Sequence, residues 1–407
     1  PSASCVRRRH PPLAAASASA LARERGRSQR GQLVCRHAGP RAALVGALAA
    51  ISRWRRRRRM RAVKRWIRPH ADPDEWRQAS HWRELPSPPT KIDGMGSVEE
   101  LQPDDPVAFG TTPERSRKFM SEYGRPPGRP VVVRGCGAGW PALQHWRLAS
   151  LGRRHGNVAF ILDRHEEDDC AILVYLDDFI TYCRGDGAKE RNPLYIFDDC
   201  FGDEGFPAAG LLNDYKAPVV CPDLLANIEE YSRPAHRWLL VGPRRSGSFP
   251  HQDPLATAAW NAMAVGFKRW VMLPPDVAED VIFCRHQRHP VGGPPDVFGW
   301  FDDLDAVLEQ LSPEQLARSV DFTVGPGDIV WVPAGWWHAV MNLSPWTVAI
   351  TENFVPIHET DGKRWLADGA LEALEKSGEV FEILEEALDG KPDAVLLEPP
   401  ERVSRAG

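Results

Sequence analysis

The feature that most constrains the fold is a succession of short β-type runs between residues 191 and 356, punctuated by Gly and Pro. Leu194-Tyr195-Ile196-Phe197 is the first. Arg237 to Val241 follows, ended by Gly242-Pro243, and then Ala258 to Val265, Lys268 to Leu273, Asp328 to Val332 and Thr347 to Phe354. Many short strands with such turns predict a sandwich or barrel, so the fold class is mainly β with flanking helices.

The remaining segments arrange themselves around that core. Residues 60–192 are expected to form an N-terminal region of helices and strands packed on it. Arg129 to Gly135 reads as a strand, Ala171 to Leu176 as a second apolar run, and Leu176 to Cys183 as the start of a helix. Residues 193–356 form the core, interrupted at 276–322 by a Pro/Gly-rich loop and a helical-looking stretch, Asp303 to Leu316. Residues 357–407 read as a C-terminal segment, with helical spacing over 363–390 and a frayed tail ending in Pro399-Pro400.

Residues 1–59 hold 15 Arg, no Lys and one acid, Glu24, which gives +14. A formal charge of -4 for the 407-residue chain therefore leaves -18 for the rest. This Arg/Ala/Ser-rich extension is expected to be disordered. It fits an organelle transit peptide, a basic tail with a nuclear-import cluster at Arg55 to Arg59, or translated upstream sequence before a start at Met60, and the last is preferred. The acidic body favours Lys/Arg-rich protein partners and disfavours non-specific binding of nucleic acid. The eight cysteines contain no C-x-x-C pair. A disulfide scaffold or thiolate zinc site is not expected, and a reducing compartment is. No apolar run reaches the roughly 18 residues of a membrane span.

Chemistry concentrates in two short segments: His251-Gln252-Asp253, and Gly335-Trp336-Trp337-His338 far downstream. Residues two apart on a strand share a face, so His251 and Asp253 point together, and His338 brings a second imidazole from a distant strand. Two imidazoles and one carboxylate suit Fe(II), Mn(II) or Zn(II). Hydrolytic zinc sites need a separate acid/base group, as in H-E-x-x-H, and none is present. Fe(II), with positions left open for a co-substrate and O₂, is preferred.

Lys268 adds a second constraint. It shares a strand face with Trp270 and Met272, while Arg269 points the other way. An ammonium among large apolar groups needs an anion or its pKa falls, and a small dicarboxylate would supply one. Tyr195, Asn261 and Thr351 offer neutral polar groups from other strands. Thr347, Ala349, Thr351 and Asn353 form a small, polar face like a pocket wall, with Val348, Ile350 and Phe354 opposite.

On these segments the chain resembles the Jumonji-C (JmjC) 2-oxoglutarate oxygenases, most closely the bifunctional arginine demethylase and lysyl-hydroxylase branch. Pro193 to Asp198, Asp214 to Pro218, Arg237-Trp238, Gly242-Pro243, Arg245 to Gly247, His251 to Pro254, Ala259 to Ala262, Lys268 to Trp270, Gly335 to His338 and Asn342-Leu343 carry the resemblance. It implies a double-stranded β-helix, the cupin or jelly-roll core, wrapped by N-terminal elements. It also implies Fe(II) on His251, Asp253 and His338. The distal carboxylate of 2-oxoglutarate would meet Lys268, Tyr195 and Thr351, in a pocket lined by Asn261 and by Ser248, which stands where the family has Thr. The implied chemistry is hydroxylation of lysine side chains or demethylation of methyl-arginine, in a histone-like or RNA-processing-factor-like protein, in the nucleus. Pro250 before the first ligand, Phe267 in place of His, and an extra residue near Ser344-Pro345-Trp346 depart from the pattern. Residues 276–322 and those after Pro356 match poorly, and substrate and homodimer contacts would come from such regions. A JmjC hydroxylase of another residue type or of RNA, a catalytically silent JmjC-fold binding module, and a cupin metal enzyme without 2-oxoglutarate are the alternatives.

Overall fold

The computed structural model describes residues 40–68, 92–105, 108, 112–165, 170–218, 223–228, 233–285, 296–360 and 363–366. Eight consecutive strands make the core: β6 (Arg237–Gly242), β7 (Gly247–His251), β8 (Ala258–Val265), β9 (Lys268–Leu273), β10 (Val320–Val324), β11 (Ile329–Val332), β12 (Trp337–Asn342) and β13 (Thr347–Phe354). One sheet takes them in the order β11-β8-β13-β6, and the facing sheet in the order β10-β9-β12-β7. Strands that follow one another along the chain thus mostly alternate between sheets, which is the jelly-roll arrangement expected above. The first sheet is extended by β1 (Glu99–Leu101) and β2 (Val131–Val133) at one edge and by β5 (Ile196–Asp198) at the other.

Alternation along each strand sorts the side chains into three layers. Val132, Leu240, Ala259, Met263, Trp270, Met272, Phe322, Val330, Val340 and Ala349 meet between the sheets. The outer face of the larger sheet, including Trp260, Ala262, Trp331, Val348, Ile350 and Phe354, packs on the N-terminal region. That region contains the helices α1 (Pro40–Ile67), α2 (Pro113–Phe119), α3 (Ala142–His145), α4 (Leu148–His155) and α5 (Leu176–Cys183), and a hairpin of β3 (Ala159–His165) and β4 (Cys170–Tyr175). The outer face of the smaller sheet, Val271, Leu273, Trp337, Ala339 and Met341, is covered by Ile282, Phe298, Trp300, Phe301, Leu304 and Leu308. Those residues come from the insertion between β9 and β10, which holds α6 (Glu279–Ile282), α7 (Val297–Asp302), α8 (Leu304–Leu308) and α9 (Pro313–Arg318). The helical stretch read over 303–316 breaks at Ser312, which is extended (φ -65, ψ 157) and caps α9 through a capping box with Gln315. A residue preceding Pro is pushed out of the helical region, so the break is local chemistry.

Two expectations are corrected. Residues 40–59 were expected to lack structure; they form the first part of α1. Arg56 and Arg59 bind Asp177 and Asp178 in the first turn of α5, with Arg59 Nε 2.6 Å from Asp178 Oδ2. Arg is a good helix former, and carboxylates about 120 residues away relieve the repulsion among its charges. Lys363–Leu366, read as the start of a helix, is instead a strand, β15, antiparallel to β14 (Ile357–Thr360). Asp361-Gly362 between them is a hairpin signal that the helical spacing overrode. The rest of the helical reading, 367–390, and residues 1–39 lie outside the described residues. No helix of the described residues is long and apolar enough to cross a membrane.

Candidate metal centre and its pocket

His251 ends β7 and pairs directly with His338 on β12, their ring centroids 4.1 Å apart. Asp253 is two residues past His251, beyond the strand end, where extended backbone (φ -63, ψ 142) keeps it on the same side. His251 Nε2 and His338 Nε2 lie 4.0 and 3.9 Å from Asp253 Oδ1. The three residues present one donor atom each, all within 4.8 Å of one another.

The protonation pattern fits a cation. His251 Nδ1 is 2.7 Å from the Phe249 carbonyl, and His338 Nδ1 is 3.0 Å from the Trp336 carbonyl. A carbonyl oxygen only accepts, so each Nδ1 carries the proton and each Nε2 turns a lone pair toward Asp253. Separations near 4 Å exceed a hydrogen bond, and drawing the donors in by about 1 Å would set them on one face of an ion about 2.1 Å from each. Asp253 Oδ2 is buried without a hydrogen-bond partner, and a buried carboxylate in that state requires a counter-charge. The residues therefore fit a divalent metal held on one face.

The triad opens into a cavity of about 270 Å³ between the sheets, whose walls include Ser248, Asn261, Lys268, Trp270, Val340, Thr351 and Asn353. Ser248 and His251 differ in parity, yet both face inward. A register shift between β12 and β7 at His338/Val340 supplies the extra residue. Lys268 is 1% exposed. Its Nζ donates to Tyr195 Oη at 3.0 Å, and desolvation by burial lowers its pKa to about 7. Thr351 is paired in register with Asn261 and donates its hydroxyl to the Trp260 carbonyl at 3.0 Å. Asn261 Oδ1 and Trp270 Nε1 are buried without partners, as is Asn342 Oδ1 nearby. A cavity with a buried ammonium and unpaired donors and acceptors fits a small polar anion better than an apolar ligand.

The structure brings all eight sequence-named residues to this region. Tyr195 packs against the side chains between the sheets, beside Lys268, and also lines a second cavity of about 190 Å³ with Arg68, Gly247 and Phe249. Burial pushes its phenol well above the usual range, opposed by a hydrogen bond with Asn342. Asn342 escaped the sequence reading as a site residue, although it follows His338 and Val340 at two-residue spacing and sits opposite Lys268. Trp270, read only as Lys268's apolar neighbour, stacks on His338 at 6.0 Å.

Comparison with known proteins agrees with this geometry. The family model described as "Cupin-like domain" matches residues 116–360. The bifunctional arginine demethylase and lysyl-hydroxylase psr-1 of Caenorhabditis briggsae is 33% identical over 298 residues, covering 70% of this chain and 72% of that protein. The chain belongs to the cupin-like JmjC family. A lysine-specific demethylase of Arabidopsis thaliana, JMJ21, is 33% identical over 243 residues, 58% of this chain and 24% of that much longer protein. The mouse 2-oxoglutarate and iron-dependent oxygenase JMJD4 is 26% identical over 196 residues, 44% of this chain and 41% of that protein. The chain thus spans only part of several JmjC relatives. The double-stranded β-helix core expected from the sequence is the family's fold.

Proposed function

We propose that this chain is an Fe(II)- and 2-oxoglutarate-dependent oxygenase of basic proteins, hydroxylating lysine side chains or removing methyl groups from arginine. The observation that carries the reading is Lys268: a buried ammonium with a phenol, not a carboxylate, beside it, in the same cavity as the His251, Asp253 and His338 donors. A keto-diacid would fit those features, with Lys268 holding its far carboxylate and the triad's metal its keto-acid end. Iron on the triad would supply the oxidising chemistry, in which 2-oxoglutarate, O₂ and a substrate C–H become succinate, CO₂ and a C–OH. The chain's own task is to orient the co-substrate and exclude water. Trp270 stacked on His338 and the apolar walls Val332 and Val340 serve the second purpose.

The acidic body and the printed activities of the nematode and plant relatives support a Lys- or Arg-rich protein substrate. Residence in the nucleus is part of the proposal and is supported by the family resemblance and by the basic run Arg55 to Arg59. Succinate release with basic peptides tests the activity, and mass spectrometry of the peptides separates a gain of one oxygen from loss of a methyl group. Succinate release that persists unchanged in His251→Ala overturns the proposal.

A further inference from the structure

The segment that leads into Tyr195 is clamped from two sides. From the core, Arg245 Nε donates to the Glu190 carbonyl at 2.9 Å, and its Nη2 donates to the Ala188 carbonyl at 2.8 Å. From the N-terminal side, Lys64 on α1 places Nζ 2.8 Å from Glu190 Oε2. The Tyr182 hydroxyl donates to that same carboxylate oxygen and accepts the backbone N–H of Leu194 at 2.7 Å. Leu194 is the residue before Tyr195. Arg68, just past α1, donates to the Asn192 and Pro193 carbonyls. Lys64, Glu190 and Tyr182 are all buried, at 9%, 2% and 3% exposure.

A charged pair taken out of water gives little net stability, and α1 already binds Asp177, Asp178 and Asp186 through arginines at its margin. The buried pair instead fixes where the chain enters β5. There the tolerance is small. A Cβ on Gly242 would lie 2.6 Å from Tyr195 Cδ2, so the ring is seated against bare backbone. A displacement of about 1 Å would also stretch the 3.0 Å contact to Lys268 beyond hydrogen-bond range.

We propose that Lys64 and Glu190 are positioning residues for the co-substrate: their ion pair, passed through Tyr182 to the Leu194 amide, seats Tyr195 against Lys268, so that docking of α1 sets the affinity for 2-oxoglutarate. The inference rests on the co-substrate reading above. A 2-oxoglutarate titration by calorimetry on the full chain loaded with Mn(II) in place of Fe(II) tests it without turnover. Lys64→Met and Glu190→Gln are each expected to weaken 2-oxoglutarate binding about tenfold, and the double variant no further, because the two act through one pair. Lys64→Arg should recover most of the affinity, and Mn(II) affinity should stay within about twofold in all four. Tyr182→Phe keeps the ring but removes the acceptor for Leu194, and is expected to weaken binding likewise; it serves if the charge variants do not fold. Wild-type affinity in folded Lys64→Met or Tyr182→Phe overturns the inference while leaving the function intact. Absence of 2-oxoglutarate binding by the wild-type Mn(II) protein overturns both.

Discussion

Lys268 and Arg269 are neighbours on β9, both almost fully buried, and they enter two different compartments. Arg269 faces the insertion. Its Nε and Nη2 bind Asp321 in a fork, Nη2 to Oδ2 at 2.6 Å, and its guanidinium lies 5.2 Å from the Phe301 ring centroid. Burial raises the Asp321 pKa even so, with Arg269 opposing the rise. Around this pair Trp300 donates to the Ile282 carbonyl and Trp337 to the Val277 carbonyl, while Arg269 Nη1 stays buried without a partner. Lys268 faces the space between the sheets and has a phenol as its hydrogen-bond partner, with unpaired Asn261 Oδ1 and Trp270 Nε1 in the same cavity. One buried cation is neutralised by the fold, and the other waits for a ligand. The contrast separates a structural layer from a working one.

Substitutions that cross this divide should behave differently. The largest effect belongs to the triad. His338→Ala or Asp253→Ala should drop succinate formation to background while the melting transition remains cooperative, as measured by coupled turnover and circular dichroism. Lys268→Ala comes next. Loss of a charge-assisted bond of about 1.5–3 kcal/mol should raise the Michaelis constant for 2-oxoglutarate about tenfold to a hundredfold, with metal affinity retained. On the other face, Asp321→Ala leaves Arg269 buried and unpaired. It should cost about 3–5 kcal/mol in denaturant unfolding, yet leave 2-oxoglutarate binding within about twofold once the protein is folded. A loss of co-substrate affinity as large as that of Lys268→Ala would erase the distinction between the two layers.

The last effect is on pH. The Lys268 pKa is depressed by burial from the ordinary 10.5 to about 7. Between those values the unfolded chain binds a proton that the ligand-free fold does not, so the contribution of this group to stability rises with pH across the window. Co-substrate binding has the opposite sign, because the dianion selects the ammonium. Its dissociation constant should increase about tenfold per pH unit above about 7. A flat profile between pH 7 and 9, read by calorimetry, would place the anion elsewhere.

Much of this was legible in the sequence because strand alternation is short-range. The inward set of Lys268, Trp270 and Met272 against outward Arg269, and of Ala349, Thr351 and Asn353 against Val348 and Ile350, follows from parity and is what the structure has. Three features were not legible, each for a non-local reason. The bulge that turns both Ser248 and His251 inward depends on register with β12. The Arg-rich part of α1 is helical against carboxylates on α5, a partner the composition does not reveal. The second cavity that Tyr195 also lines is assembled from segments far apart in the chain, Arg68, Gly247 and Phe249 among them.

The most direct test of the central claim is an anaerobic titration of the full chain, first with Fe(II) and then with 2-oxoglutarate, followed by visible absorbance. A charge-transfer band should rise on addition of the 2-oxo acid, vanish in His251→Ala, and require much higher 2-oxoglutarate in Lys268→Ala. A wild-type protein that shows no band, or a band indifferent to both substitutions, would contradict the account.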